Sequence, residues 1–436
     1  MNEIWIRYRG NVSSFQHMKG DKMAKLIEIL LETQMIISII FIVLAIYQLA
    51  VCIIGLASKK INKEYEYKEH RFMAVIPAHN EENVILDIIE SLKNQNYNKD
   101  LLDIYVIADN CTDKTAQIAK KQGVFVYERF NNEKKSKGYA LEWFFNQILE
   151  NKPDDYDAFC IFDADNIVAP EFFVEMNKKL CGGEKIVQGY RDIKNADDSW
   201  VTANYALFYW VMNRCYHYSR YKLGLSPLIN GTGFMVAMSV LKETNGWHSN
   251  TMTEDIEFSL KSIARGYKIG WAQDAVVYDE QPLGFKQSWT QRLRWSVGHI
   301  QCVKEYFSAL SKQKNLTPTM IDAAIYIFGM PLIILTLFNI IITAIIYALV
   351  PYKFVILNAG LKVVGLLIFV AMLLISLLTL LHDKKSLKKV WKGIVTTPVF
   401  MFSWFLINVV AFTKKKLEWK PISHVKSMRT QEVQRL

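Results

Sequence analysis

Ala158-Phe159-Cys160-Ile161-Phe162-Asp163-Ala164-Asp165 is an apolar run closed by two carboxylates. The run is short and does not alternate, so it predicts a strand buried on both faces. Similar runs lie at Phe72–Ile76, Ile104–Ala108, Val124–Tyr127 and Ile186–Gln188. Helical patterns fit between them at Glu81–Asn94, Thr115–Gln122, Tyr139–Leu149 and Glu171–Lys179. Strands alternating with helices predict an α/β fold, with a mostly parallel sheet and helices on both faces. Ligands of such sheets sit beyond the carboxyl ends of the strands. The first strand runs into Pro77-Ala78-His79-Asn80-Glu81, the second into Asp109-Asn110 and the fourth into Asp163-Ala164-Asp165, so polar side chains gather at that edge.

The rest of the 436-residue chain is of a different kind. Residues 33–58, 323–352, 363–381 and 393–413 hold no Asp, Glu, Lys or Arg, and a helix needs about 20 apolar residues to cross a bilayer. The first stretch exceeds the roughly 7–15 apolar residues of a cleaved secretory signal and shows no small-residue cleavage pattern, so it reads as an anchor. The expected layout is an N-terminal extension at 1–32, a transmembrane helix at 33–58, a cytoplasmic globular region at 59–312, and a membrane region with a basic tail at 313–436. Lys59, Lys60, Lys63 and Lys68 follow the first span, against Lys22 and Lys25 close before it. Basic flanks stay inside, which places the globular region in the cytoplasm. Arg7, Arg9 and Lys19 oppose this unless translation starts at Met23.

Lys384, Lys385, Lys388 and Lys389 return the chain to the inside after the span at 363–381. The segment 393–413 has lysines on both sides, so a full crossing would leave one basic cluster outside. Pro398 offers a re-entrant hairpin instead, with a cytoplasmic tail. Near 285–311, Trp289, Leu293, Ile300, Val303, Phe307 and Leu310 recur at helical spacing between basic residues. This helix either lies on the membrane surface or packs against the sheet.

The net charge of +10 reads as membrane topology, because the basic residues cluster beside the spans and no nucleic-acid motif accompanies them. Cysteines 52, 111, 160, 181, 215 and 302 form no CxxC pair or regular framework, which points to a reduced compartment without structural zinc.

Three elements carry chemistry. Asp163 and Asp165 form a DxD whose carboxylates suit a hard divalent cation bridging a diphosphate. Asp155-Tyr156-Asp157 has the same spacing in a polar loop, so strand-end context is what distinguishes the first pair. Thr253-Glu254-Asp255 opens a helical segment, where acids are stabilised by the dipole in any case. Gln291-Arg292-Leu293-Arg294-Trp295 combines guanidinium groups, which grip phosphate, with a Trp face on which a sugar ring stacks. A basic helix snorkelling at a membrane surface is the plain alternative.

In this order, an Asp after the second strand, a DxD, Thr-Glu-Asp and Gln-x-x-Arg-Trp before membrane spans resemble the processive family-2 glycosyltransferases, the cellulose, chitin, hyaluronan and poly-N-acetylglucosamine synthases. The resemblance covers Val75 to about Trp295. It extends loosely to Trp419-Lys420-Pro421-Ile422-Ser423-His424, similar to a cytoplasmic tryptophan element of that group.

It implies a GT-A-type, Rossmann-like domain with transmembrane α-helices at both ends. Glu81 and Asp109 would contact uridine, with Ala78 and His79 lining its pocket. Asp163 and Asp165 would hold the donor diphosphate and its Mg²⁺ or Mn²⁺. Lys137, in Lys137-Gly138-Tyr139-Ala140-Leu141, matches a basic position near the donor, and Arg294 would neutralise the leaving nucleotide. Asp255 would be the general base, with Glu254 beside it among the acceptor-binding residues. Gly231 and Thr232, in Asn230-Gly231-Thr232-Gly233-Phe234, align with the acceptor loop, while Gln291 and Trp295 would hold the acceptor's terminal sugar.

The implied activity is inverting, membrane-bound transfer from a nucleotide sugar to a growing polysaccharide; the alternative is addition of one sugar to a lipid-linked acceptor. Implied partners are the donor, a glycan or lipid-linked acceptor and membrane lipid, with accessory membrane subunits left open. Asn110-Cys111-Thr112-Asp113 replaces the commoner Gly-Ser run, and the Asn230 loop lacks the cysteine or serine of several synthases. Both departures blur donor and acceptor identity.

Overall fold

The computed structural model describes residues 21–58, 66–329, 332–349 and 359–414. It separates into two units, Met1–Ile54 with Pro331–Leu378, and Gly55–Met330 with Thr379–Leu436. Residues 1–20, lysines 59, 60 and 63, and the tryptophan element at 419–424 lie outside the described residues.

The elements in chain order are α1 (Asp21–Ala57), β1 (Phe72–Ala78), α2 (Ile85–Lys93), β2 (Leu102–Asp109), α3 (Thr115–Lys121), β3 (Phe125–Arg129), α4 (Lys137–Asn151), β4 (Ala158–Ile161), β5 (Ile167–Val168), α5 (Phe172–Cys181) and β6 (Ile186–Ile193). Then come α6 (Trp200–Met212), a π-helical turn (Asn213–Tyr218), α7 (Ser219–Lys222), β7 (Phe234–Ala237), α8 (Met238–Glu243), α9 (Glu254–Ala264) and β8 (Ile269–Asp279). The chain continues through α10 (Phe285–Leu310), α11 (Pro318–Phe328), α12 (Leu332–Leu349), α13 (Ala359–His382) and α14 (Leu387–Phe412).

The strands form one eight-stranded sheet in the order β3-β2-β1-β4-β7-β6-β8-β5. Expected as mostly parallel, it is mixed. β3, β2, β1 and β4 are parallel, β7 runs antiparallel to both β4 and β6, β8 is parallel to β6, and β5 is antiparallel to β8. β5 and β7 alone are reversed, so the carboxyl ends of β1, β2, β4, β6 and β8 share one edge. Alternate β1 residues serve opposite faces. Met73 and Val75 join Phe144 and Phe145 of α4, whereas Phe72, Ala74 and Ile76 pack with Ile85, Ile88 and Ile89 of α2. Burial on both faces is why these strands read as continuous apolar runs.

Among the described residues, three helical segments are long and apolar enough to cross a membrane: Lys25–Ala57, Gly365–His382 and Leu387–Phe412. In the first unit, Ile27 and Ile37 of α1 cluster with Ile342 and Ile346 of α12, and Gln34 donates to Thr343.

The layout needs four corrections. The first helix starts at Asp21, so the boundary placed between 32 and 33 falls inside it. The expected span 323–352 is two helices; Met320, Ala323 and Ile327 of α11 join the core beneath the sheet, and buried Asp322 pairs with Arg220 at 2.8 Å. The globular unit therefore extends past the boundary set at 312. Pro398 lies inside continuous α14, so there is no re-entrant break there. Finally, the buried face of α10 is built on Ser288, Arg292, Ser296, His299, Cys302 and Tyr306, with Val297 and Gly298 between them, rather than on the expected apolar stripe. Phe307 is 64% exposed.

Candidate active site

The loops after β1 and β2 each turn on an asparagine with left-handed backbone, Asn80 at φ 56° and Asn110 at φ 52°, a conformation Asn tolerates better than most residues. Asn80 Oδ1 accepts from the amide of Thr112 at 2.8 Å, and Asn110 Oδ1 from that of Asn131 at 2.8 Å. This accounts physically for Asn110 where a Gly-Ser run is commoner.

Buried Ala78 ends β1, and the Nδ1 of His79 meets the carbonyl of Asp109 at 2.7 Å. The Glu81 amide donates to Thr115 at 2.8 Å. Asp109 Oδ1 accepts from Arg129 at 2.5 Å and from Asn110 at 3.0 Å. Burial pushes the Asp109 carboxyl upward, with Arg129 acting against it, and its Oδ2 has no partner among the described residues.

Asp163, Asp165 and Asp279 form a cluster whose carboxylate oxygens lie within 4.8 Å of one another. The turn after β4 is fastened from beneath: the Asp163 amide donates to Asn166 Oδ1 at 3.2 Å and to Thr232 Oγ1 at 3.1 Å. Thr232, expected at the acceptor, is fully buried and gives its proton to Asn166, so its hydroxyl supports the DxD turn. Asp165 Oδ2 accepts from the Glu280 amide at 3.3 Å. Asp279 ends β8 and accepts from Asn166 Nδ2 at 3.0 Å, from Gln281 and from Arg191. Three oxygen donors of this kind suit a hard cation such as Mg²⁺ or Mn²⁺.

Lys137 begins α4, whose Ser136 cap accepts from the Tyr139 amide. Its ammonium reaches Asp163, the Gly231 carbonyl at 2.6 Å and Glu254 at 3.8 Å. Burial works against its charge, but Asp163 and Glu254 more than offset this and hold its pKa above the ordinary value. Glu254 and Asp255 open α9. Burial raises both carboxyls, Glu254 to about 7 with Lys137 and Arg294 acting against the rise. Gly231 has φ 90°, and a Cβ there would lie 3.4 Å from Asp255 Oδ2, so this glycine keeps the loop next to the acid. Gln291, Arg294 and Trp295 ride on α10, where Gln291 accepts from Tyr205 at 2.9 Å and Trp295 meets the Tyr205 ring edge-on at 6.1 Å.

Asp163, Asp165, Lys137, Gly231, Glu254 and Asp255 thus converge, joined to Arg294 through its field on Glu254. Ala78, His79, Glu81 and Asp109, expected at the nucleotide, lie along the same edge, at the ends of β1 and β2. Sequence reasoning missed Asp279, Arg191 and Arg129. The signal for Asp279 was present, since Ala275-Val276-Val277-Tyr278-Asp279 is a further apolar run closed by an acid.

Acids at the carboxyl edge of a mixed sheet, with a lysine and buried helix-start carboxylates beside them, are an arrangement that suits a divalent cation and an anionic ligand. The model of the family described as glycosyltransferase-like family 2 matches residues 70–298, and the chain belongs to that family. It is 28% identical over 253 residues to YdaM of Bacillus subtilis, described as a probable glycosyltransferase, covering 55% of this chain and 58% of that one. It is 27% identical over 267 residues to the β-monoglucosyldiacylglycerol synthase of Nostoc sp., covering 59% and 54%. It is also 27% identical over 247 residues to the poly-β-1,6-N-acetyl-D-glucosamine synthase of Staphylococcus aureus, covering 55% and 57%. The chain thus spans little more than half the length of these relatives. Among solved structures, the mannosyltransferase PcManGT from Pyrobaculum calidifontis, in complex with GDP-Man and Mn²⁺, superposes with a TM-score of 0.58 at 13% identity, covering 88% of this chain and 98% of that one. The two share a fold, in keeping with the expected GT-A-type domain.

Proposed function

We propose that this chain is a membrane-bound, inverting glycosyltransferase that moves a sugar from a uridine diphosphate donor to a growing glycan at the cytoplasmic face of the cell membrane. The observation that carries the proposal is the convergence of Asp163, Asp165 and Asp279 with Lys137, Glu254 and Asp255 at one sheet edge. The three aspartates would hold a divalent cation, which neutralises charge on the donor diphosphate when bound. Asp109, with its free Oδ2, and Glu81 would meet the base, with Ala78 and His79 beside them. Asp255 removes the proton from the acceptor hydroxyl. That oxygen forms its bond to the anomeric carbon as the bond to the diphosphate breaks, and Lys137 and Arg294 oppose the charge left on the nucleotide. Base catalysis of this kind supplies about 10²–10⁴-fold, and the remainder comes from orientation and preorganised charge. Helices long enough to span a bilayer, with lysines 384, 385, 388 and 389 after Gly365–His382, support the cytoplasmic placement.

A second reading, transfer of one sugar to a lipid acceptor, is favoured by the similarity to a β-monoglucosyldiacylglycerol synthase. Membranes incubated with radiolabelled UDP-glucose, UDP-N-acetylglucosamine and GDP-mannose, followed by sizing of the product, test both. A labelled polymer supports the first reading, a single glycolipid band the second, and no product with any donor overturns the proposal.

A further inference from the structure

Tyr205 lies in the middle of α6, fully buried, with no place in the chemistry above. Its hydroxyl donates to Gln291 Oε1 at 2.9 Å and lies 3.1 Å from the hydroxyl of Ser288, one turn earlier on α10. Its ring meets Trp295 edge-on at 6.1 Å and Phe400 of α14 at 5.5 Å. One side chain therefore touches three positions of α10, two of them, Gln291 and Trp295, being those assigned to the acceptor.

Hydrogen-bond direction gives this contact a consequence. A glutamine amide has one acceptor oxygen and two N–H donors. When the Tyr205 hydroxyl donates to the oxygen and accepts from Ser288, the amide orientation of Gln291 is set and its Nε2 faces away from Tyr205. Among the described residues that Nε2 has no partner, and Gln291 is half-buried, so its donors remain for a ligand. Burial pushes the phenol up to about 12, so the hydroxyl keeps its proton at any working pH. Neighbouring Asn204 fixes α6 to α14, donating to Thr396 at 2.8 Å. Tyr205 is therefore held from behind.

We infer that Tyr205 is a positioning residue for the acceptor: it orients Gln291 so that the amide donates to a sugar hydroxyl or ring oxygen, and it sets the Trp295 ring on which that sugar stacks. This rests on the functional proposal above, because it takes Gln291 and Trp295 as acceptor contacts.

The test uses the full chain in membranes, with the donor that yields product in the panel and N-acetylglucosamine trimer or octyl β-D-glucoside added as acceptor. Tyr205→Phe keeps the ring and loses the donor, and should raise acceptor KM about tenfold, one hydrogen bond's worth, while donor KM stays within about twofold. Gln291→Glu, which has no amide donor, should raise acceptor KM further, and adding Tyr205→Phe to it should cost little more. If Gln291→Glu raises acceptor KM and Tyr205→Phe does not, the inference is overturned and the functional proposal stands. If Tyr205→Phe lowers kcat with both KM values unchanged and reduces thermal stability, Tyr205 is structural and the inference is again overturned. If Gln291→Glu and Trp295→Ala leave acceptor KM unchanged, the acceptor assignment fails and takes the inference with it.

Discussion

The guanidinium of Arg191 donates through Nε to Oδ2 of Asp279 at 2.9 Å, a buried ion pair between residues 88 apart in the chain. Arg191 also donates to the Asn230 carbonyl at 2.7 Å and lies over the Tyr209 ring at 4.4 Å. The pair ties the third acid of the cluster to the Asn230-Gly231 loop, and so to Asp255.

Removing one member of such a pair strands the other in a dry site. Arg191→Met is expected to destabilise the protein by about 3–5 kcal/mol, measured by thermal or denaturant unfolding in detergent. Asp279→Asn keeps the shape but removes one of three carboxylates, and should weaken Mn²⁺ binding by about tenfold or more, followed by electron paramagnetic resonance. Unchanged affinity would remove Asp279 from the cluster's function.

The carboxyls of α9 predict a pH dependence. Glu254 rises from its ordinary 4.5 to about 7 through burial, so the folded chain takes up a proton there between those values. Its contribution to stability is present below 4.5 and is lost as pH climbs through about 7. Glu254→Gln should flatten the melting-temperature profile over that window and match or exceed the unaltered protein at pH 8. Asp255 must be ionised to act as base, and burial raises it as well. Transfer should accordingly fall on the acid side at a pH above the ordinary carboxylate value of 3.8.

Where α14 meets α6, Gly393 faces Ala203 so closely that a Cβ would lie 2.8 Å from the Ala203 Cβ and carbonyl carbon. Nearby, Arg292 donates to Ser403 at 2.9 Å and Ser296 to Asn408 at 2.6 Å, fastening α10 to α14. Gly393→Val should cost about 1–3 kcal/mol by overpacking and lower transfer by loosening the helix that carries Gln291 and Arg294. Thermal unfolding and acceptor KM measured together check this, and a variant as stable and active as the parent would show that α14 does not buttress the site.

Much of this arrangement could be read from local patterns. The strands β1, β2 and β4, and the acids closing β2 and β4, announced themselves because a strand buried on both faces is an unbroken apolar run; β3, at the sheet's edge, is largely exposed and was legible by its apolar residues alone. The reversed strand β5 did not, being only two residues long, too short for periodicity to register; β7 is no shorter than β4 but lacks the closing carboxylates that mark β4. Arg191 was invisible because its strand, Ile186–Ile193, holds charged residues that a buried-strand pattern does not anticipate. The stretch 323–352 looked like one span because Asp322 falls one residue before it; its pairing with Arg220 draws α11 into the globular unit. Pro398 suggested a break that α14 does not make, since a proline is tolerated in a helix that neighbouring helices pack against, as α6 and α10 do here.

The proposed transfer depends on Asp255 as the base that activates the acceptor. Single-turnover transfer from a radiolabelled nucleotide sugar, compared between the parent and Asp255→Asn with nucleotide binding measured on the same membranes, tests it most directly. The expected result is a transfer rate about 10²–10⁴-fold lower with nucleotide affinity within a few-fold of the parent. A rate equal to the parent's, at equal nucleotide occupancy, would contradict it.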